Sequence, residues 1–138
     1  MQLYSSTMDT EMGPIHAVMG PKGLVALAWA DRLQPVYAHL SRHLGSANPQ
    51  PKPTMPALHA VLRRYFEGDL AALSTLPIDP PGTRFQRTTW AALRQIPHGQ
   101  TWSYGRLAKH IGRPTASRAV AQDNGRNPIP LVIPCHRV

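Results

Sequence analysis

The sequence has little cysteine and no long apolar run, and each shortage excludes a class of protein. Cys135 is the only cysteine, so the chain cannot form an internal disulfide, as is usual in a reducing cytosol. No apolar run approaches the ~20 residues that span a membrane. Residues 1–14 lack the basic region and the apolar stretch of a signal peptide. Together these shortages predict a cytoplasmic protein.

Metal ligands are also scarce. One thiol cannot build the usual multi-cysteine zinc centre. His39 and His43 are the only histidines at a close ligand spacing, in a segment with helical character. Because no acidic or cysteine residue stands near them, we expect them to be ordinary surface residues, and we predict no metal site.

Acidic residues are scarce in one part of the chain only. Residues 1–81 hold six Lys/Arg and six Asp/Glu. Residues 82–138 hold nine Lys/Arg, eight of them arginine, against Asp123 alone, and so carry the whole formal net charge of +8. A basic part beside a neutral part is typical of polyanion binding, although a generic basic surface would give the same count. The excess of arginine over lysine favours contacts with phosphates or bases.

The first half of the chain alternates apolar segments with turn residues. Apolar runs at 14–19 and 24–29, separated by a proline- and glycine-containing turn, predict a β-hairpin. The spacing of apolar residues predicts helices over 35–44 and 58–68. Four prolines between residues 45 and 56 predict a loop there.

A proline-rich boundary at Asp79–Gly82 coincides with the change in charge. We therefore predict two domains, over residues 1–76 and over residues 77–138, of which the second is the basic one.

The second part of the chain predicts mainly short helices. Apolar spacing favours a helix over 85–96, and Ser103 is a suitable N-cap for a helix over 104–110. A further helix over 115–122 completes a pair typical of a helix-turn-helix, which, with the basic bias, indicates DNA binding. The apolar run 129–133, held between prolines, predicts a buried strand.

The residues Pro134-Cys135-His136 carry the most reactive group of the chain. A thiol is a poor nucleophile until it loses its proton, at a pKa of about 8.5 when free. An adjacent histidine can take that proton, directly or through one water. A lone Cys-His pair is more often structural, so the wider context has to decide between the two interpretations.

Several motifs occur in the order and at the spacing of one known family. They are GTRFQ at 82–86, IPHG at 96–99, SYG at 103–105, SRAV at 117–120, NP at 127–128 and IPCHRV at 133–138. On these motifs, the second part of the chain resembles the O6-alkylguanine-DNA alkyltransferases, or methylated-DNA–protein-cysteine methyltransferases. YFEG at 65–68 and LPID at 76–79 also fit, whereas residues 1–55 match only in their pattern.

The resemblance implies an α/β N-terminal domain with an RNase H-like small sheet. It also implies a mostly α C-terminal domain with a winged-helix-like helix-turn-helix. The expected partner is double-stranded DNA containing alkylated guanine, and the expected protein is a monomer, cytoplasmic and nucleoid-associated if bacterial. No cofactor is expected, because the substrate carries its own activated carbon.

The resemblance also implies the chemistry. Cys135 would accept the alkyl group from O6-alkylguanine, or from O4-alkylthymine, in one irreversible transfer per molecule, and His136 would be its water-mediated base. Past PCHRV the family continues with a substrate loop and a helix whose glutamate orients the histidine, but this sequence ends at Val138. We therefore expect either a fragment of a longer protein or a shortened and impaired one.

For DNA binding, the resemblance implies that Tyr104 crowds a phosphate and helps rotate the nucleotide out. Arg118 would fill the base stack, and Asn127 would lie at the hinge between recognition helix and active site. Small residues would let the recognition helix press into the minor groove, which is only ~6 Å wide; they are Thr115, Ala116 and Ser117.

Two other functions remain open on the residues. A non-catalytic module that recognises alkylated bases would share the fold, but such proteins lack the nucleophile that Cys135 supplies. A helix-turn-helix transcription regulator would not need the Pro-Cys-His run after its recognition helix.

Overall fold

The computed structural model describes residues 2–45 and 48–138, and the backbone separates into a first unit that ends at Pro81 and a second that begins at Gly82. The sequence placed residues 77–81 in the second domain, but they lie in the first unit. The reason is backbone pairing, since Leu24 N donates to Pro77 O (3.0 Å) and Asp79 N donates to Leu24 O (2.8 Å). No helix among the described residues is long and apolar enough to cross a membrane.

The first unit is built on a mixed four-stranded sheet. The predicted hairpin is present as β2 (Gly13–Gly20) and β3 (Gly23–Trp29), which pair antiparallel. The polar segment Tyr4–Thr10, for which the sequence predicted no strand, forms β1 and pairs antiparallel with β2. The short strand β4 (Gln50–Pro51) pairs parallel with β1, so that the order is β3-β2-β1-β4.

A glycine is required where the hairpin meets the segment after residue 76. Gly23 has a φ of +145°, and a Cβ there would lie 2.6 Å from Pro77 O. A side chain at this position would therefore push residues 77–78 off β3.

Two helices complete the first unit, α1 (Leu33–Leu44) and α2 (Pro56–Phe66), within about two residues of the helices predicted over 35–44 and 58–68. Helix α1 buries Leu40 in a cluster with residues of the sheet, and α2 buries Leu58 and Leu62. Of the loop predicted over 45–56, residues 46 and 47 lie outside the described residues. The α/β class predicted for this part of the chain is confirmed.

The second unit is mostly helical, as predicted: α3 (Arg84–Leu93), α4 (Tyr104–His110) and α5 (Ser117–Gly125). Helix α3 begins with a capping box, in which Thr83 Oγ1 accepts from Gln86 N and Gln86 Oε1 accepts from Thr83 N. The core of the second unit contains the fully buried side chains of Trp90, Leu93, Leu107 and Val120. In this core, α3 packs against α4 and α5.

The strand predicted over 129–133 is wrong. The segment is a tight turn in which Ile133 N donates to Ile129 O (2.9 Å) and Leu131 adopts a φ of +73°. Prolines within and beside the run remove backbone donors that a strand would need, and the second unit holds no strand to pair with it. Cys135 therefore follows a turn and begins the 3₁₀ turn Cys135–Arg137, instead of ending a strand.

Candidate active site and nucleic-acid interface

Cys135 is partly exposed and is held through its backbone. Its N–H donates to Ile133 O (2.8 Å), and the 3₁₀ turn that it begins is closed by Arg137 N donating to Pro134 O (3.0 Å). The only thiol of the chain thus stands at the surface on a backbone with few free dihedrals.

Asn124, in the last turn of α5, connects Cys135 with α4. Its Nδ2 donates to Cys135 O (3.3 Å) and lies 3.4 Å from the Tyr104 hydroxyl. Tyr104 is the first residue of α4, and its side chain is 37% exposed. The structure therefore brings Tyr104 and Cys135 to one place, and the residue that joins them was not predicted.

Asn127 clamps the turn before Cys135. Its Nδ2 donates to Ile133 O (2.8 Å), while its Oδ1 accepts from Ile129 N (2.9 Å). One side chain therefore satisfies both ends of the apolar turn. The hinge role expected for Asn127 stays a prediction, but this residue ties the end of α5 to the segment that carries the thiol.

Arg137 holds the other side of the turn. Its guanidinium donates to Ile96 O (2.9 Å) and to His98 Nδ1 (3.2 Å), and Trp102 N donates to Arg137 O (2.9 Å). Arg137 therefore joins the Cys135–Arg137 turn to the loop between α3 and α4. In the sequence, Arg137 stood out only as part of the IPCHRV motif and of the positive charge, and no structural role was predicted for it.

His136 lies between these anchored residues with its ring largely exposed. Partial burial lowers the pKa of His136, and electrostatic interactions with Arg137 and then with His98 lower it further. The imidazole is therefore favoured in its neutral form, the form that can accept a proton.

Helices α4 and α5 form the predicted helix-turn-helix. Ser103 is the N-cap, as predicted, with its hydroxyl accepting from Arg106 N (3.0 Å). The helices pack closely at Gly105, where a Cβ would lie 3.8 Å from the hydroxyl oxygen of Ser117. Thr115 is exposed in the turn, and Ala116 and Ser117 are partly exposed at the start of α5. Small side chains therefore surround the N-terminus of the second helix of the pair.

Arg118 lies exposed in the first turn of α5, and its side chain makes no hydrogen bond or ion pair with another residue of the described chain. It is six residues before Asn124, which corresponds to about 9 Å along a helix. Arg118 is thus on the same helix as the Cys135 contact but toward its other end.

Asp123, the only acid of the second unit, is not part of the site. Its carboxylate accepts from Thr89 Oγ1 (2.9 Å) and its backbone carbonyl accepts from Trp90 Nε1 (2.9 Å). The positive charge around the thiol is therefore not offset by a carboxylate facing it in residues 82–138.

Comparison with known proteins gives one match to the second unit and further matches to the whole chain. Residues 84–138 match the family described as 6-O-methylguanine DNA methyltransferase, DNA binding domain. The whole chain is 39% identical to the methylated-DNA–protein-cysteine methyltransferase of Shigella flexneri and covers 82% of that protein. The chain belongs to this family. The methyltransferase of the same name from Salmonella typhimurium is 41% identical over 100% of this chain and 82% of its own length.

Solved structures of methyltransferases share the fold. The crystal structure of Mycobacterium tuberculosis O6-methylguanine methyltransferase matches with a TM-score of 0.79 and 34% identity, over 99% of this chain and 78% of that one. The crystal structure of Mycobacterium tuberculosis OGT in complex with DNA matches with a TM-score of 0.75 and 33% identity, over 98% and 77% of the two chains. The predicted family and fold class are therefore confirmed.

Proposed function

We propose that this protein repairs DNA by transferring an alkyl group from O6-alkylguanine to Cys135, once per molecule. The observation that carries the proposal is the position of the only thiol. Cys135 is partly exposed in the basic unit and lies inside the segment that matches the methyltransferase family, and Asn124 joins its backbone to the first residue of the helix-turn-helix. A thiol placed for structure alone would be buried in the core.

The chemical step is a direct displacement. The Cys135 thiolate attacks the alkyl carbon, and the bond between that carbon and O6 breaks. The electron pair of this bond stays on the guanine, which takes up a proton at N1. The proton lost by Cys135 passes to neutral His136, directly or through water, and is then delivered to N1 of the guanine. The thioether product has no easy way back, so the protein is consumed, and the step needs no cofactor.

The target base has to leave the DNA stack before the thiol can reach it, at a cost of a few kcal/mol. In our proposal the small residues Thr115, Ala116 and Ser117 let α5 approach the minor groove, and exposed Arg118 enters the gap that the base leaves. Tyr104 crowds the DNA backbone beside the extruded nucleotide, and Asn127 holds the Cys135 segment in a fixed position relative to α5. In the same proposal the protein acts as a monomer in the cytoplasm, at the nucleoid if bacterial.

Intact-mass measurement tests the transfer. After incubation with an oligonucleotide containing O6-methylguanine, we expect one added methyl mass (~14 Da), located on Cys135, because no other thiol is present. The amount of modified protein should never exceed the amount of protein added.

Two results would contradict this proposal: modification at another residue, or repeated turnover by one molecule. As the matched control, Cys135→Ala should lose the mass shift but bind the oligonucleotide as the unchanged protein does. A non-catalytic recognition module would give a different result, because it would bind the oligonucleotide without a mass shift in either form.

A further inference from the structure

Asn124 has one hydrogen-bonding group that the site leaves unused. Its Oδ1 is buried and has no hydrogen-bond partner, the only such side-chain atom found in the described part of the chain. A buried carbonyl without a donor is destabilising, and native structures contain few of them. This one lies on the side chain that touches both the backbone of Cys135 and the Tyr104 hydroxyl.

The orientation of the amide follows from its neighbours. The carbonyl of Cys135 can only accept a hydrogen bond, so the group of Asn124 that faces it at 3.3 Å has to be the NH₂. Rotating the amide by half a turn would place two acceptors against each other. Oδ1 is therefore held as an acceptor beside the nucleophile.

The bases that this chemistry accepts differ in what they can donate. Alkylation at O6 leaves N1 of guanine without a proton, so the 2-amino group is the only N–H donor on the base. O4-alkylthymine has no N–H donor at all, because its N3 is likewise unprotonated. An acceptor beside Cys135 therefore has one possible partner on O6-alkylguanine and none on O4-alkylthymine.

We infer that Asn124 Oδ1 accepts a hydrogen bond from the 2-amino group of the extruded O6-alkylguanine, and so selects guanine over other alkylated bases. The inference rests on the proposed function. The base reaches Oδ1 when the Tyr104 side chain turns aside. Tyr104 is exposed, and its contact with Asn124 is long at 3.4 Å, so little is lost when it moves.

The test compares two oligonucleotides that differ only in the 2-amino group, one with O6-methylguanine and one with O6-methylhypoxanthine. Single-turnover rates of methyl transfer are measured for the unchanged protein, Asn124→Ala, Asn124→Asp and Gln122→Ala. Gln122 is the matched control, because it is an exposed amide on the same helix.

The unchanged protein and Gln122→Ala should transfer from O6-methylguanine about 10- to 100-fold faster than from O6-methylhypoxanthine, since only the first satisfies the buried carbonyl. In Asn124→Ala this ratio should fall to near one. Asn124→Asp loses the NH₂ that faces Cys135 but retains an acceptor, so its rates should drop while the ratio stays well above one.

A ratio near one in the unchanged protein would overturn the inference and leave the proposed function standing. So would an unchanged ratio in Asn124→Ala, because another group would then read the 2-amino group. If Asn124→Ala does not fold, Asn124→Asp still tests the inference, because a ratio near one in a variant that retains the acceptor would overturn it. A protein that transfers no methyl from O6-methylguanine would refute the proposed function itself, and this inference with it.

Discussion

The side chains around Cys135 differ in how firmly they are held. Asn127 and Arg137 each make two side-chain hydrogen bonds, whereas the His136 ring makes none with another described residue. His136 is therefore free to meet a water or the thiol. Its lowered pKa, caused by partial burial and then by electrostatic interactions with Arg137 and His98, favours the neutral form at physiological pH.

The pH dependence of transfer should report this histidine. Protonation removes the base, so the single-turnover rate should fall as the pH decreases through the pKa of His136, which lies below the ordinary value of 6.5. His98→Ala removes one of the electrostatic interactions that lower this pKa, so the midpoint of the profile should move to higher pH. Rates measured between about pH 5 and about pH 8 would show the shift.

His110→Ala is the matched control for this measurement. His110 is exposed, bonds to Gln95 (2.7 Å) and packs edge-on against Trp102, but it is not among the groups that lower the pKa of His136. Its loss should leave the midpoint unchanged. If His136→Ala retained the unchanged protein's profile, a group other than His136 would be the base.

At the scale of elements, α3 and α5 meet through Asp123. The side chain of Asp123 is 6% exposed and accepts from Thr89, while its carbonyl accepts from the buried Trp90. Burial raises the pKa of Asp123, although the hydrogen bond from Thr89 and the charge of Arg126 oppose the shift. Helix α5, which carries Asn124, is thus anchored to α3 through a carboxylate whose charged form is destabilised by burial.

Replacing this carboxylate by an amide should stabilise the protein at neutral pH. Because the folded-state pKa of Asp123 is raised, its contribution to the unfolding free energy is full below its ordinary value of 3.8 and is lost as the pH rises through the folded-state pKa. Asp123→Asn should therefore unfold at a higher temperature than the unchanged protein at pH ~7, and this difference should shrink below pH ~4.

The exposed Asp9 of β1 provides the control, since Asp9→Asn changes the net charge by the same amount. Thermal unfolding of both variants at the two pH values separates burial from net charge. Equal effects from the two substitutions would mean that net charge, and not the burial of Asp123, decides the stability.

For the whole molecule, the division of charge coincides with the division of structure. The second unit begins at Gly82, and residues 82–138 carry the entire net charge of +8. Seven of their cationic side chains are exposed. Arg137 is instead engaged at the turn beside Cys135. Non-specific attraction to the phosphate backbone is therefore a property of the second unit.

Binding to DNA should weaken steeply with salt, since each neutralised phosphate releases counterions and contributes a slope of about −0.9 to a plot of log K against log salt. Arg113 is exposed in the turn between α4 and α5, so Arg113→Ala should reduce the magnitude of this slope by about one. Fluorescence anisotropy on an unmodified duplex at several salt concentrations measures it.

Lys22→Ala removes an exposed cation from the neutral first unit and should leave the slope unchanged. A salt slope that responded equally to both substitutions would show that DNA contacts the first unit as strongly as the second.

The sequence by itself determined the chemistry and most of the elements. The lone Cys135 within PCHRV, the Ser103 cap of α4 and the apolar spacing of α1 to α3 are local properties, readable from neighbours in the chain. Two segments were predicted wrongly because their local pattern disagrees with the pairing that the fold allows. Polar β1 is a strand because its neighbours supply pairing partners, and the apolar run 129–133 is a turn because its prolines remove donors.

Only the tertiary structure decided which side chains meet at the thiol. Asn124 is 11 residues before Cys135 and 20 after Tyr104, and no role was predicted for it from the sequence. Its amide reaches both only because α5 packs on α4 while Asn127 folds the following turn back. Contacts of this kind depend on how separate segments pack, and no local spacing in the chain encodes them.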